Sequence, residues 1–300
     1  MTREEPSTPD GRPAWTTVWA TGQRPAALQR RERYTPGSVD HPAKMLPATA
    51  AHAITAYTRP GQWVLDPMCG IGTTLIEAAH TGRNGLGIEL EPAWADIART
   101  NLAHAADQNA AGSGEVHTGD ARTLPKTLAE QGWAGRASLL LTSPPYGSMT
   151  HGRVRTRRDG AGKVDKWAHR YSPTPEAAQL AYQKHDDLLD SVTRMLAAAR
   201  ALLEPGARVV VTVRPFRLRG RLIDFPGQVT RAARRAGLQP RERCVALLCG
   251  IREGRLISRA SFFQMVETTR LRRSGLPVGV TAHEDVLILA NPAPAAEERQ

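Results

Sequence analysis

The chain has 300 residues, 41% of them hydrophobic, enough to bury a sizeable core. Its 40 Lys and Arg outnumber 29 Asp and Glu, giving a formal charge of +11 that suits a polyanionic partner. Thirty-five of the 40 are Arg, as a GC-rich genome would also produce, so the placement of charge matters more than its sum. No apolar run reaches the ~18 residues of a membrane span. The opening MTREEPSTPDGRPAW lacks the apolar stretch of a secretory signal. Cys69, Cys244 and Cys249 have neither the pairing of a disulfide framework nor zinc-site spacing. The expectation is a reduced, cytoplasmic protein with no metal site and no membrane partner.

Residues 1–40 are polar, proline-bearing and irregular, with Trp15, Trp19 and Tyr34 as anchors onto a body that starts later. Residues 42–57 read as a helix ended by Pro60-Gly61. Then strand-like and helix-like segments alternate: strand 62–66, helix 73–80, strand 84–90, helix 92–105, short strand 114–120 and buried strand 137–143. The clearest periodicity lies in 178–203, where Leu188, Val192, Met195, Leu196, Ala199, Leu202 and Leu203 share one helical face. Strand 207–213, a helix near 222–236, and strands 242–251 and 284–290 complete the pattern. Such alternation predicts a parallel sheet with right-handed crossovers. The expected organisation is an extension at 1–40, one domain at 41–290 with a basic insert at 147–175, and a disordered tail at 291–300.

The first strand runs into VLDPMCGIGTTLIEA. An acidic residue, Asp66, closes the strand, Gly70 and Gly72 form a turn, and Thr73-Thr74 open a helix. Glycines there let a ligand approach the backbone at the switch point of an open α/β sheet. The dinucleotide fingerprint needs a third glycine where Leu75 stands, and no G-K-[ST] phosphate loop is present. A strand-terminal carboxylate would repel a pyrophosphate and suits a cationic amino group. Glu89 ends the second strand, placed to accept from two ribose hydroxyls. Asp120 ends the third and can accept from an adenine amino group. An ammonium, a ribose and an adenine without phosphate describe S-adenosylmethionine.

D-P-M-C-G-I-G-T-T at 66–74 followed by T-S-P-P-Y at 142–146 resembles the amino-methyltransferases of DNA, which act on exocyclic nitrogens of cytosine (N4) or adenine (N6). The likeness covers residue 41 to about 290. It implies a Rossmann-like α/β fold with a mostly parallel seven-stranded sheet whose last strand is antiparallel. It also implies that Asp66, Pro67, Cys69, Gly70, Gly72, Thr73 and Thr74 line the cofactor site, with Cys69 a small packing residue. HPAKM at 41–45 resembles the family's remaining cofactor motif, adding His41 and Lys44.

LLLTSPPYGS at 139–148 then acquires a purpose. Pro144 and Pro145 fix φ and carry no N–H, so their carbonyls point from a backbone that hardly moves. An exocyclic amine is a poor nucleophile because its lone pair is delocalised into the ring. Accepting its hydrogens, through Ser143 Oγ and the Pro144 carbonyl, turns the nitrogen toward a tetrahedral, nucleophilic form. Tyr146 can stack on a base that has left the duplex. Within the family, Ser at position 143 is commoner in enzymes of cytosine N4, which makes DNA the favoured substrate and cytosine the favoured base.

Residues 147–175 carry seven basic residues, Arg153, Arg155, Arg157, Arg158, Lys163, Lys166 and Arg170, against two Asp. They are candidate phosphate contacts beside the clamp. Arg214, Arg217, Arg219 and Arg221 form a second basic patch, and Arg255, Arg259, Arg270, Arg272 and Arg273 around Phe262 and Phe263 a third. No large recognition domain is evident, which leaves a short DNA site or an RNA as substrates. Three other readings stay open: methylation of adenine N6 in DNA, methylation of guanine N2 in tRNA, and a nucleic-acid-binding module without catalysis. The sequence assigns no oligomeric state.

Overall fold

The computed structural model describes residues 16–41, 44–145, 153–154, 166–167, 185–218, 221–260 and 262–293. In chain order the elements are β1 (Val18–Trp19), α1 (Ala26–Arg30), α2 (Pro47–Tyr57), β2 (Trp63–Asp66), α3 (Thr73–His80), β3 (Asn84–Glu89), α4 (Pro92–Asp107) and β4 (Gly114–Thr118). There follow α5 (Leu124–Leu128), β5 (Ala137–Thr142), the short strands β6 (Arg153–Val154) and β7 (Lys166–Trp167), α6 (His185–Ala199) and β8 (Leu203–Val213). The C-terminal third holds β9 (Phe216–Leu218), β10 (Arg221–Ile223), α7 (Phe225–Arg235), β11 (Gln239–Leu247), β12 (Gly250–Arg252), β13 (Arg255–Ile257), α8 (Phe262–Arg273) and β14 (His283–Ala290).

One mixed sheet organises the chain, in the order β1-β11-β14-β8-β5-β2-β3-β4. The five strands β4, β3, β2, β5 and β8 pair in parallel. β14 inserts antiparallel between β8 and β11. These are the seven strands and the antiparallel last strand that the sequence implies; β1 adds an eighth at the edge, parallel to β11. Strands buried on both faces read as continuous apolar runs, as in Val209, Val210 and Val211 of β8 and Leu139, Leu140 and Leu141 of β5, all buried. Helices α6 and α7 cover one face, where Leu188, Val192, Met195 and Leu196 meet Phe225, Val229 and Ala232. α2 covers part of the other through Ala50, Ala53 and Ile54.

Helix starts follow local chemistry. α2, α4 and α7 each carry proline in the first turn, where a missing N–H costs nothing. The predicted helix at 42–57 therefore begins only at Pro47. Asp224 caps α7 by accepting from the Gly227 amide at 3.0 Å. The periodic helix of 178–203 is described from His185 and tightens into a 3-10 turn at Arg200–Leu202.

The N-terminal extension contains more order than its composition suggests. Trp19 and Tyr34 are both buried, and Trp15 lies outside the described residues. The Tyr34 hydroxyl donates to Glu77 Oε1 at 2.8 Å, and Arg33 pairs with Glu77 Oε2 at 3.0 Å, which ties the extension to α3. Among the described residues no helix is long and apolar enough to cross a membrane. All three cysteines are free and buried. Of the expected tail, Asn291 packs into the body and accepts from Arg200 Nε at 3.0 Å, while 294–300 lie outside the described residues.

Candidate functional site

Parallel strands end on one side, so their terminal residues line up along a single edge of the sheet. Asp66 ends β2, Glu89 ends β3, Asp120 follows β4 by two residues, and Ser143 follows β5 directly. Because the strands lie in the order β4-β3-β2-β5, these four groups are arrayed as Asp120, Glu89, Asp66, Ser143. Three strand spacings of ~4.8 Å set their spread at about 14 Å. The chain reverses its direction of winding between β2 and β5, which opens the crevice typical of ligand sites in such sheets.

The glycine turn between β2 and α3 is built as its sequence requires. Gly70 and Gly72 have φ of 54° and 84°, in the left-handed region that favours glycine. A Cβ on Gly70 would stand 3.0 Å from His41 Nε2, so the imidazole of the HPAKM segment lies directly over the turn. His41 is buried and meets Trp94 edge-on, ring centroids 4.8 Å apart. Lys44 directs its ammonium to the carbonyls of His41 (2.7 Å) and Val39 (3.0 Å), bracing the segment that carries His41. Pro67, Cys69, Thr73 and Thr74 are buried in and around the turn.

Leu75 occupies the place of the missing third glycine, and the facing strand compensates. A Cβ on Gly87 would come within 2.8 Å of both Leu75 Cδ2 and Cys69 Sγ. The glycine that permits close helix–strand packing has moved from α3 to β3.

Asp66 is buried, and its carboxylate accepts from the Met68 amide (3.1 Å), Thr74 Oγ1 (2.6 Å) and Thr142 Oγ1 (3.0 Å). Burial nevertheless pushes its pKa up to about 6, the three hydrogen bonds offsetting only part of the desolvation. Glu89 accepts from the Gly70 amide at 2.8 Å and the Glu91 amide at 3.0 Å, and burial raises it to about 7. Each Glu89 oxygen thus binds one amide and retains acceptor capacity for a ligand hydroxyl.

Asp120 is held differently. Arg122 Nε reaches Asp120 Oδ1 at 3.0 Å, its Nη2 reaches Oδ2 at 2.6 Å, and its amide also donates to Oδ1 at 2.9 Å. Burial works to raise this carboxyl, but the bonds and charge of Arg122 outweigh it and hold it below the ordinary value. Its side chain is thus paired with a guanidinium in this structure.

Ser143 is half-buried, Pro144 buried and Pro145 half-buried, immediately beyond fully buried Thr142. Tyr146 lies outside the described residues, as do Arg155, Arg157, Arg158, Lys163 and Arg170. Of the basic insert, the backbones of Arg153 and Lys166 are described, in the antiparallel pairs Arg153–Trp167 and Val154–Lys166.

Two supports escaped sequence reasoning. Thr142 joins the SPPY segment to Asp66 directly. Asn101, fully buried in α4, accepts from the Thr35 amide (2.8 Å) and Thr35 Oγ1 (2.7 Å) and donates to Ser38 Oγ (2.8 Å) and the Ile71 carbonyl (2.9 Å). It thereby fixes the glycine turn to the segment leading into His41. The available signal was an asparagine on the same buried face as Ala98 and Ala105.

The donor set suits a ligand with a cation and hydroxyls: two desolvated carboxylates flank a glycine turn overlain by the His41 imidazole. The sheet order and this edge define a Rossmann-like α/β fold. A family model described as DNA methylase matches residues 3–100, about a third of the chain. The type II methyltransferase M.MthZI of Methanothermobacter thermautotrophicus is 34% identical over 88 residues, 29% of this chain and 22% of that protein. M2.DpnII of Streptococcus pneumoniae is 37% identical over 62 residues, 21% of this chain and 23% of that protein. The matched segment thus spans less than a quarter of either relative. Among solved structures, TrmN from Thermus thermophilus aligns with a TM-score of 0.49 at 20% identity, covering 88% of this chain and 53% of that one.

Proposed function

We propose that the chain transfers a methyl group from S-adenosylmethionine to an exocyclic amine of a DNA base, with cytosine N4 as the target. The observation that carries this reading is the Thr142–Asp66 hydrogen bond, which joins the SPPY segment to the floor of the glycine turn. The sulfonium of S-adenosylmethionine supplies an activated methyl group. Asp66 and the turn bind the cationic end of that molecule, Glu89 its ribose hydroxyls, and the Asp120–Arg122 pair borders the adenine. The sequence segment 3–100 supports the same class.

Chemistry at the base falls to the SPPY segment. Ser143 Oγ and the Pro144 carbonyl accept the amino hydrogens, and the fixed φ of two consecutive prolines keeps those acceptors in place. Holding the amine in this pose contributes through orientation and preset electrostatics, with no covalent bond to the enzyme. Tyr146 stacks on the flipped base, and Arg153, Arg155, Arg157, Arg158, Lys163, Lys166 and Arg170 hold phosphates. Ser at position 143 supports cytosine over adenine, and the composition of the SPPY motif supports DNA over RNA.

Labelled S-adenosylmethionine offered with double-stranded DNA, single-stranded DNA or bulk tRNA, followed by nucleoside mass spectrometry, tests this. N4-methylcytosine from DNA is the expected product. N6-methyladenine would overturn the base assignment, and methylguanosine from tRNA with DNA untouched would overturn the DNA reading.

A further inference from the structure

The strand directions bring a second feature to the catalytic edge. β11 runs antiparallel to β14, which runs antiparallel to β8, itself parallel to β5. The C-terminal end of β11 therefore opens on the same edge as Thr142, three strands away, or about 14 Å at ~4.8 Å per strand. From that end projects the β12–β13 hairpin, Gly250–Ile257.

This hairpin has a rigid tip and a fixed base. Its two-residue turn, Glu253-Gly254, has φ of 50° and 71°, the paired positive values of a type I′ turn, so the strands are locked in register. At the base, the Ile251 amide donates to Gln23 Oε1 (3.2 Å), Arg259 donates to the Gln23 carbonyl (2.9 Å), and Thr21 Oγ1 donates to the Leu247 carbonyl (2.9 Å).

Its side chains do nothing evident for folding. Arg252 stands directly opposite Arg255, a like-charge pair that destabilises a ladder. Neither forms an ion pair among the described residues. On the opposite face Ile251 pairs with Leu256, and they are 46% and 64% exposed. A partner that repays both faces has anionic groups beside apolar edges. Nucleic acid offers phosphates next to base edges that include the thymine methyl. A two-stranded ribbon also fits the major groove of B-DNA, about 12 Å wide.

Resting on the proposed DNA-methylating function, we propose that the β12–β13 ribbon is an element with which this chain reads duplex DNA, beside the phosphate contacts of the basic insert. Arg252 and Arg255 contact phosphate or guanine edges, and Ile251 and Leu256 meet apolar base edges. At 3.4 Å per base pair the ribbon engages the duplex about four base pairs from the flipped base.

The experiment compares binding of one sequence as duplex DNA, as single strand and as double-stranded RNA, across salt, for the native chain, Arg252→Ala/Arg255→Ala and Leu256→Ser. Circular dichroism melts verify that each variant folds. The double variant is expected to lower the duplex-to-single-strand affinity ratio about tenfold. Its log–log salt slope for duplex should shrink by about 2, roughly 0.9 per lost phosphate contact. Leu256→Ser should lower the ratio while leaving that slope in place. A ratio indifferent to all three substitutions, while the native chain methylates DNA, overturns the ribbon alone. Equal, ribbon-dependent binding of double-stranded RNA, whose major groove is too deep and narrow to enter, overturns groove reading. A native chain that methylates no DNA overturns the proposed function itself.

Discussion

Thr142 and Asp66 are 76 residues apart in sequence, yet Thr142 Oγ1 donates to Asp66 Oδ1 at 3.0 Å. β2 and β5 are adjacent parallel strands, so their C-terminal residues meet at the edge that holds both motifs. This hydrogen bond ties the buried carboxylate at the end of β2 to the SPPY backbone at the end of β5.

Thr142→Val keeps the shape and removes this donor from a buried carboxylate. Stability should drop by about 1–3 kcal/mol. Turnover should fall about 10- to 100-fold, because a small misplacement of an acceptor clamp is costly. Thr142→Ser, which restores the hydroxyl, should recover most of the activity. Thermal melts and steady-state kinetics with both variants test the link.

Burial raises Asp66 to about 6 and Glu89 to about 7, both above their values in an unfolded chain. Their contribution to stability is therefore present below about pH 4 and is lost as pH rises through 6 and 7. Ligand affinity runs the other way, since S-adenosylmethionine brings an ammonium and a sulfonium that favour ionised carboxylates. Affinity should be weak at pH 5, rise by up to about tenfold per pH unit for each proton released, and level off above pH 7. Calorimetric titrations from pH 5 to 8 measure this, and Glu89→Gln should lose the upper part of the rise.

Asn101→Ala should cost about 1–3 kcal/mol, since the Thr35 amide and hydroxyl and the Ile71 carbonyl lose a buried partner. Asn101→Asp keeps acceptance from Thr35 but cannot donate to Ile71. It should therefore weaken cofactor binding, because the glycine turn is released at Ile71 while the Thr35 contacts persist. Denaturant melts set beside cofactor titrations separate the two effects.

Gly87→Ala places a methyl 2.8 Å from Cys69 Sγ and Leu75 Cδ2, an overpacking worth about 1–3 kcal/mol. Because Cys69 belongs to the glycine turn, cofactor affinity should fall with stability. Adding Cys69→Ala removes the sulfur and should restore part of both. A double-mutant cycle that shows no coupling would remove Cys69 from the packing role assigned to it.

Sequence alone determined the elements whose signals are local. Apolar runs marked β5 and β8, period-3.6 spacing marked α6, and prolines and glycines marked the turns, because those preferences act within a few residues. The same locality made Asp66, Glu89 and the SPPY segment legible, each being a short motif at a strand end. Sequence did not reveal β1, the β12–β13 hairpin or α8, whose residues are few or polar and owe their order to neighbours such as Gln23. Nor could it reveal that Asp120 is held by Arg122, that Asn101 binds Thr35 and Ile71, or that Gly87 stands in for a glycine missing from α3. Those relationships pair residues across strands and helices. Only the tertiary structure decides them, because a hydrogen bond or a close approach depends on where the chain returns.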